Sequence, residues 1–98
     1  MDHVIAIPKA LPTTSAGNGL IVPGTTIYYD GFNVRETAGA VASLRIRAGS
    51  VTGPIIGGAS LVANGSFSEN LGLAPIQCDG GIYVEVVAGT IEGSVRYI

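Results

Sequence analysis

The sequence predicts an all-β fold: a small antiparallel β-sandwich of jelly-roll or immunoglobulin-like type, or a flattened barrel, with an extended N-terminal arm. Three observations carry that expectation. Fifteen glycines and five prolines are spread over 98 residues, which opposes long helices and favours tight turns. Val, Ile and Thr are frequent and alternate with polar residues at period two rather than 3.6. Turn signals recur roughly every 8–12 residues, the spacing of about seven or eight short strands.

The elements follow in chain order. Residues 1–24 hold Pro8, Pro12 and Pro23 and the polar run TTSAGNG. Proline cannot donate to a ladder, so this segment reads as an extended arm with strand-like pieces at VIAI and GLIV. It is either an edge strand packed on its own domain or an arm lying on a neighbouring subunit. Residues 25–98 form the sandwich domain. TIYY and FNVRE flank Asp30-Gly31, a two-residue hairpin signal that would set Tyr29 opposite Phe32 and Ile27 opposite Val34. Tyr28 and Tyr29 then point to opposite faces, one into the core and one displayed.

TAGAVASLRIRAG would tolerate a helix, but Ala42, Leu44 and Ile46 alternate with Ser43, Arg45 and Arg47, so a strand is expected. The stretch SVTGPIIGG, with its Gly and Pro, should turn a corner between sheets. SLV and SFSENL flank Asn64-Gly65, where two registers compete. A two-residue turn sets Val62 opposite Phe67. A three-residue loop with a glycine bulge sets Leu61 opposite Phe67, joins the two bulkiest apolar residues, and is preferred. The closing segment reads as a hairpin turning at Gly89-Thr90. Ile82, Val84 and Val86 would face Tyr97, Val95 and Gly93 on the buried side, with Tyr83 opposite Arg96 and Glu85 diagonal to it outside.

Composition narrows the function. Charged residues make up 12% of the chain, roughly half the usual ~25%, so much uncharged surface would face water unless companions cover it. The net charge of −2 and the scattered basic residues offer no stripe for phosphates, so nucleic acid is not expected as a partner. No stretch reaches the ~20 apolar residues of a bilayer-spanning helix, so no membrane is expected. MDHVIAIPKALPTTSAG lacks the basic leader of a secretion signal, which implies folding in a cytoplasm. Cys78 is the single cysteine, so no internal disulfide can form.

The search for chemistry returns bland answers. His3 and Cys78 are the one possible nucleophile–base pair, and Cys78 in IQCDGG suits a small apolar residue before a turn. Glu85 and Glu92 would lie four rungs apart on the outer face of the closing hairpin. Glu36 and Glu69 would meet only by accident of packing. All four read as solvated or interface carboxylates. GPIIGG and GNG lack the lysine of a phosphate loop, and Asp30-Gly31 and Asp79-Gly80-Gly81 lack calcium-loop spacing and read as turns. No catalytic residue, cofactor or metal ligand is therefore expected, and the chain does not read as an enzyme.

The block from Val34 onward, within FNVRETAG, VASLRIRAGSVTGPII and SLVANGSFSENLGLAPIQCDGGIYVEVVAGTIEGSVRYI, resembles small virion proteins of tailed bacteriophages. There a strand with an alternating apolar face leads to a GS hairpin and an ending of the GGIYVEV, AGTIEGSV type. The resemblance implies a virion structural role: a head decoration or cement subunit first, with a head-fibre, tail or baseplate part in host attachment as the alternative. A carbohydrate-binding module is a further alternative and would need exposed tyrosines grouped on one face. The implied partners are the major capsid protein or other virion subunits, and copies of the chain itself, for instance in a trimer. The implied location is the virion, assembled in the bacterial host cytoplasm. The expected interface residues are Val4, Ile5, Ile7 and Leu11 on the arm, with Leu20, Ile21 and Val22.

Overall fold

A computed structural model describes residues 5–72 and 74–98. They form seven strands: β1 (Ile7–Ala10), β2 (Gly19–Glu36), β3 (Ala42–Ala48), β4 (Ile55–Leu61), β5 (Ser66–Asn70), β6 (Ile76–Ala88) and β7 (Ile91–Tyr97), with one 3-10 turn at Ser15–Gly17. All pairings are antiparallel and run in the order β1-β7-β2-β6-β3-β4, with β5 beside the second half of β2. The sheet folds over on itself as a small sandwich or flattened barrel. Tyr29 of β2 thereby reaches Gly57 of β4, although β6 and β3 lie between them in the pairing order. A Cβ on Gly57 would sit 2.8 Å from the Tyr29 hydroxyl, so this site needs glycine for the two layers to meet.

β2 organises the rest. Its first half pairs with β6, from Gly19 opposite Val84 to Tyr29 opposite Ile76. Its second half lies between β7 and β5, with Phe32 opposite Val95 on one side and Glu69 on the other. The exchange of partners happens at Asp30-Gly31. There the register against β7 slips by one residue, so two residues of β2 oppose Arg96 alone. That is a β-bulge, which bends a strand and sharpens its twist. Gly31 takes φ of 110°, and a Cβ there would lie 2.2 Å from the Glu69 carbonyl oxygen. The Arg96 guanidinium fills the bulge and donates to that same carbonyl.

The expected Asp30-Gly31 hairpin is therefore replaced by a bulge inside one strand, and Tyr29 does not pair with Phe32, nor Ile27 with Val34. Two further links behave alike. Asn64-Gly65 does turn the chain, with Asn64 at φ of 59° and the Gly65 N–H donating to Val62 at 2.8 Å. Yet β4 pairs with β3 and β5 with β2, so neither expected register forms and Leu61 stands opposite Ala42. β6 and β7 are likewise not partners. Ile82, Val84, Val86 and Val95 are buried as expected, but β6 ladders with β2 and β3, and β7 with β1 and β2. The local signal marks where the chain reverses and is silent on which sheet position it reaches next. The reverse error occurs at SVTGPIIGG. It closes a hairpin between β3 and β4, with the Ala48 N–H donating to Pro54 at 3.0 Å, and IIGG belongs to β4. Asp79-Gly80-Gly81 runs inside β6, not at a turn.

The strand over VASLRIR holds: Ala42, Leu44 and Ile46 are buried and Arg45 is exposed. So does the tyrosine alternation, with Tyr29 fully buried and Tyr28 partly exposed. The core joins Tyr29, Phe32, Ile46, Ile82, Val84, Val86, Ile91, Val95 and Cys78. Each such large apolar side chain contributes about 1.5–3 kcal/mol by leaving water. Burial leaves the Tyr29 hydroxyl needing a partner, and it donates to Glu69 Oε1 at 2.6 Å. Burial first, then that bond and the Glu69 charge, hold its pKa far above the ordinary phenol value, so it stays a donor.

Residues before 25 also contribute to this core. Leu11 and Val22 are buried in it, the Leu11 N–H donates to Gly93, and Thr13 accepts from Ile91. The Asn18 side chain continues the β2 edge by accepting from the Val86 N–H at 2.6 Å.

The bulge predicts a contrast between two glycines with positive φ. Gly31→Ala should destabilise the fold by about 2–4 kcal/mol, from backbone strain plus the collision with Glu69. Gly39→Ala, at φ of 76° with open space around it, should cost only about 1 kcal/mol. Urea denaturation of the two variants checks the ordering.

Candidate interaction surface

The expected interface residues separate into three groups. Val4 lies outside the described residues. Leu11 and Val22 are spent in the chain's own core, and Ile21 packs against its margin. Ile5, Ile7 and Leu20 are exposed, Ile5 at 76%.

The larger exposed apolar group lies elsewhere. Val41, Val51, Ile55, Val62 and Val87 stand exposed on β4, the end of β6 and the adjoining loops, with Val41 at 70% and Val62 at 72%. At the Val41 and Val62 end runs an open groove of about 360 Å³ lined by Val41, Ala42, Ser43, Ser60, Leu61, Val62 and Ala88, none of them charged. A second groove of about 450 Å³ continues over Ser43, Leu44, Ile55 and Gly57 to Ser60. Its one charged residue, Arg45, stands opposite Glu85, whose carboxylate lies 3.8 Å from Arg45 and 3.5 Å from Arg47. Among the described residues, β4 forms a ladder with β3 alone, and its other side meets Tyr29 and Glu69 near Gly57.

Glu36 positions the loops that carry Val41 and Val62. It is the buried carboxylate at the end of β2. One oxygen accepts the Gly39 N–H at 2.9 Å and the Asn64 N–H at 2.8 Å, and the other accepts Ala38 at 2.5 Å. The Asn64 bond, followed by those from Ala38, Ala40 and Gly39, holds its pKa below the ordinary glutamate value against the opposing effect of burial. A single charge thus ties the 37–40 loop to the 62–65 turn. Sequence reasoning took Glu36 for a solvated or interface carboxylate. The available signal was its place on the inward phase of FNVRE, two residues after Val34.

The other candidates resolve simply. His3 lies outside the described residues. Cys78 is fully buried on β6, its thiol bonded to the Ile76 carbonyl at 3.6 Å, and burial pushes its pKa up. Glu85 and Glu92 do not share a hairpin face. Glu85 meets Arg45 and Arg47, whereas Glu92 pairs with Arg35 across the β2–β7 ladder. Tyr83 stands opposite Arg47, not Arg96, and Glu85 is not diagonal to Arg96. Glu69 meets Tyr29 by design of the sheet. Tyr28 stands opposite Gln77 and Tyr83 opposite Leu20, at opposite ends of the β2–β6 ladder, so these two form no common platform. Among the described residues, no three His, Cys, Asp or Glu side chains gather as metal ligands would.

A scan against protein-family models, a search of curated proteins and a search of solved structures return no match for this chain.

The Glu36 clamp carries a definite pH sign. Its folded pKa is lowered, so its contribution is complete above the ordinary glutamate pKa of about 4.3 and is lost as pH falls through the lowered folded value. Hydrogen exchange should show Ala38, Gly39 and Asn64 losing protection together in that acid range. Glu36→Gln should show the loss already at neutral pH.

Proposed function

We propose that the chain is a non-enzymatic structural protein of a tailed-phage virion, a decoration (cement) subunit that binds the capsid lattice and stabilises it. One observation carries the proposal: ionised side chains are few, and exposed apolar ones are many. Five basic and seven acidic residues serve the whole chain, and Arg35, Arg45, Arg47, Glu85 and Glu92 are engaged with one another. Ten large apolar side chains stand exposed among the described residues. A freely diffusing domain relies on charge to remain apart from its neighbours, whereas a subunit of a dense particle has its surface covered.

The resemblance of the block from Val34 onward supplies the virion context. Rigid modules on a repeating lattice need only modest contacts, because each later contact is made within an assembly already formed. Ile5, Ile7 and Leu20 are the arm-side residues free to make them, and the Val41–Val62 groove is the broader surface.

Electron microscopy of intact particles carrying the chain should place many copies over the head shell. Density confined to the tail would move the assignment to a tail or baseplate part, and absence from the particle would end it. In a cosedimentation assay with capsids stripped of the subunit, the combined change Ile5→Asp, Ile7→Asp and Leu20→Asp should weaken binding about tenfold or more with an unchanged circular dichroism spectrum.

A further inference from the structure

We infer that the Asn64-Gly65 turn is a site of spontaneous covalent modification, where Asn64 deamidates through a succinimide. The second Asn-Gly pair, Asn18-Gly19, is held unreactive by the fold. The product sets a carboxylate beside the Val41–Val62 groove and loosens the Glu36 clamp. The inference goes beyond the virion assignment and does not rest on it.

The chemistry is fastest where glycine follows asparagine, because glycine has no Cβ to crowd its own nitrogen. Of the four asparagines, only Asn18 and Asn64 precede glycine. The amide nitrogen of Gly65 gives up its proton and attacks Cγ of Asn64. The Cγ–Nδ2 bond breaks, ammonia leaves with that proton, and a five-membered imide closes. Water then opens the imide at either carbonyl. Breaking the bond to Cγ gives aspartate; breaking the bond to the main-chain carbonyl carbon gives isoaspartate, whose backbone runs through Cγ and is one carbon longer. No other reactant is needed.

The fold treats the two pairs differently. The Asn18 carboxamide is pinned at both ends: its Oδ1 accepts the Val86 N–H at 2.6 Å, and its Nδ2 donates to the Val86 carbonyl at 3.4 Å. Gly19 already lies in the β2–β6 ladder opposite Val84. Cyclisation there would need the sheet to open. Asn64 is exposed, and its carboxamide makes no hydrogen bond to the described residues. One bond restrains the attacking nitrogen, from the Gly65 N–H to the Val62 carbonyl at 2.8 Å. Glu36 holds the same turn from two sides. Its carboxylate accepts the Asn64 N–H at 2.8 Å, and its own N–H donates to the Gly65 carbonyl at 2.9 Å. Local opening of an exposed turn costs far less than opening a ladder, so Asn64 reacts and Glu36 sets how slowly. The product then undoes its own restraint. A carboxylate at position 64 repels the Glu36 charge, and the extra backbone carbon of isoaspartate lies between the two points that Glu36 grips.

The test ages the purified full chain in mildly alkaline buffer and maps its peptides by mass spectrometry. The Asn64 peptide should gain about one dalton, largely as isoaspartate, and should do so about tenfold or more faster than the Asn18 peptide. In urea the two should react at similar rates. Glu36→Gln should speed Asn64 about threefold or more and leave Asn18 unchanged. In the aged fraction, separated by ion exchange, hydrogen exchange should show Ala38 and Gly39 losing protection. Equal rates at the two sites in the folded chain would overturn the inference. So would a Glu36→Gln variant that leaves Asn64 unaffected or speeds both sites alike, or an aged fraction with the clamp intact.

Discussion

The architecture depends on the bulge at Asp30-Gly31. A strand of eighteen residues cannot lie flat in a domain of this size, so β2 must bend, and it bends where Gly31 tolerates a backbone that other residues resist. The bend lets one strand bond to β6 with its first half and to β7 and β5 with its second. Tyr29 sits just before it and Phe32 just after, both fully buried. The inward side of the bend is therefore the centre of the core. The Tyr29–Glu69 hydrogen bond and the Arg96 contact to the Glu69 backbone tie β2, β5 and β7 together at that point. Loss of the bend would separate the two halves of the core.

A second consequence concerns the surface. Folding the sheet over leaves strand edges on both flanks, and the protection of these edges is uneven. Proline and lysine lie on β1 and the start of β2, while β4 and its loops carry no charge and β4 is broken only by a bulge at Ile56. The Glu36 carboxylate stiffens the two loops beside β4 at the expense of burying a charge, and four backbone N–H groups offset that cost. A buried charge spent on ordering two surface loops is understandable if their shape matters to something outside the chain.

The sequence made the class of fold and the inward faces legible, because both follow from local alternation. Ala42, Leu44 and Ile46, and Ile82, Val84 and Val86, point inward as their phase requires. Partner choice was not legible. Asp30-Gly31, Asn64-Gly65 and Gly89-Thr90 have turn chemistry, yet each joins segments that pair elsewhere or continue as one strand, and the difference lies in contacts many residues away. Gly31 could have signalled a bulge as well as a hairpin, since both need positive φ. Of the surface, the sequence reported the scarcity of charge but not its location. The apolar residues of β4 and its loops come from separate segments that only the folded sheet gathers. Leu11 and Val22 show the converse, apolar residues in a proline-rich segment that the core consumes.

Among the described residues, β3 and β4 are the one pair of sequence-adjacent strands that share a ladder. Every other ladder waits for distant chain, and β1 bonds to residues 94–97. Long loops must close before such contacts reward the closure, so the protein should mature slowly. The β3–β4 ribbon closes the shortest loop in the sheet, so its closure costs the least entropy, and the stability of even that ribbon waits on the strands that later cover it.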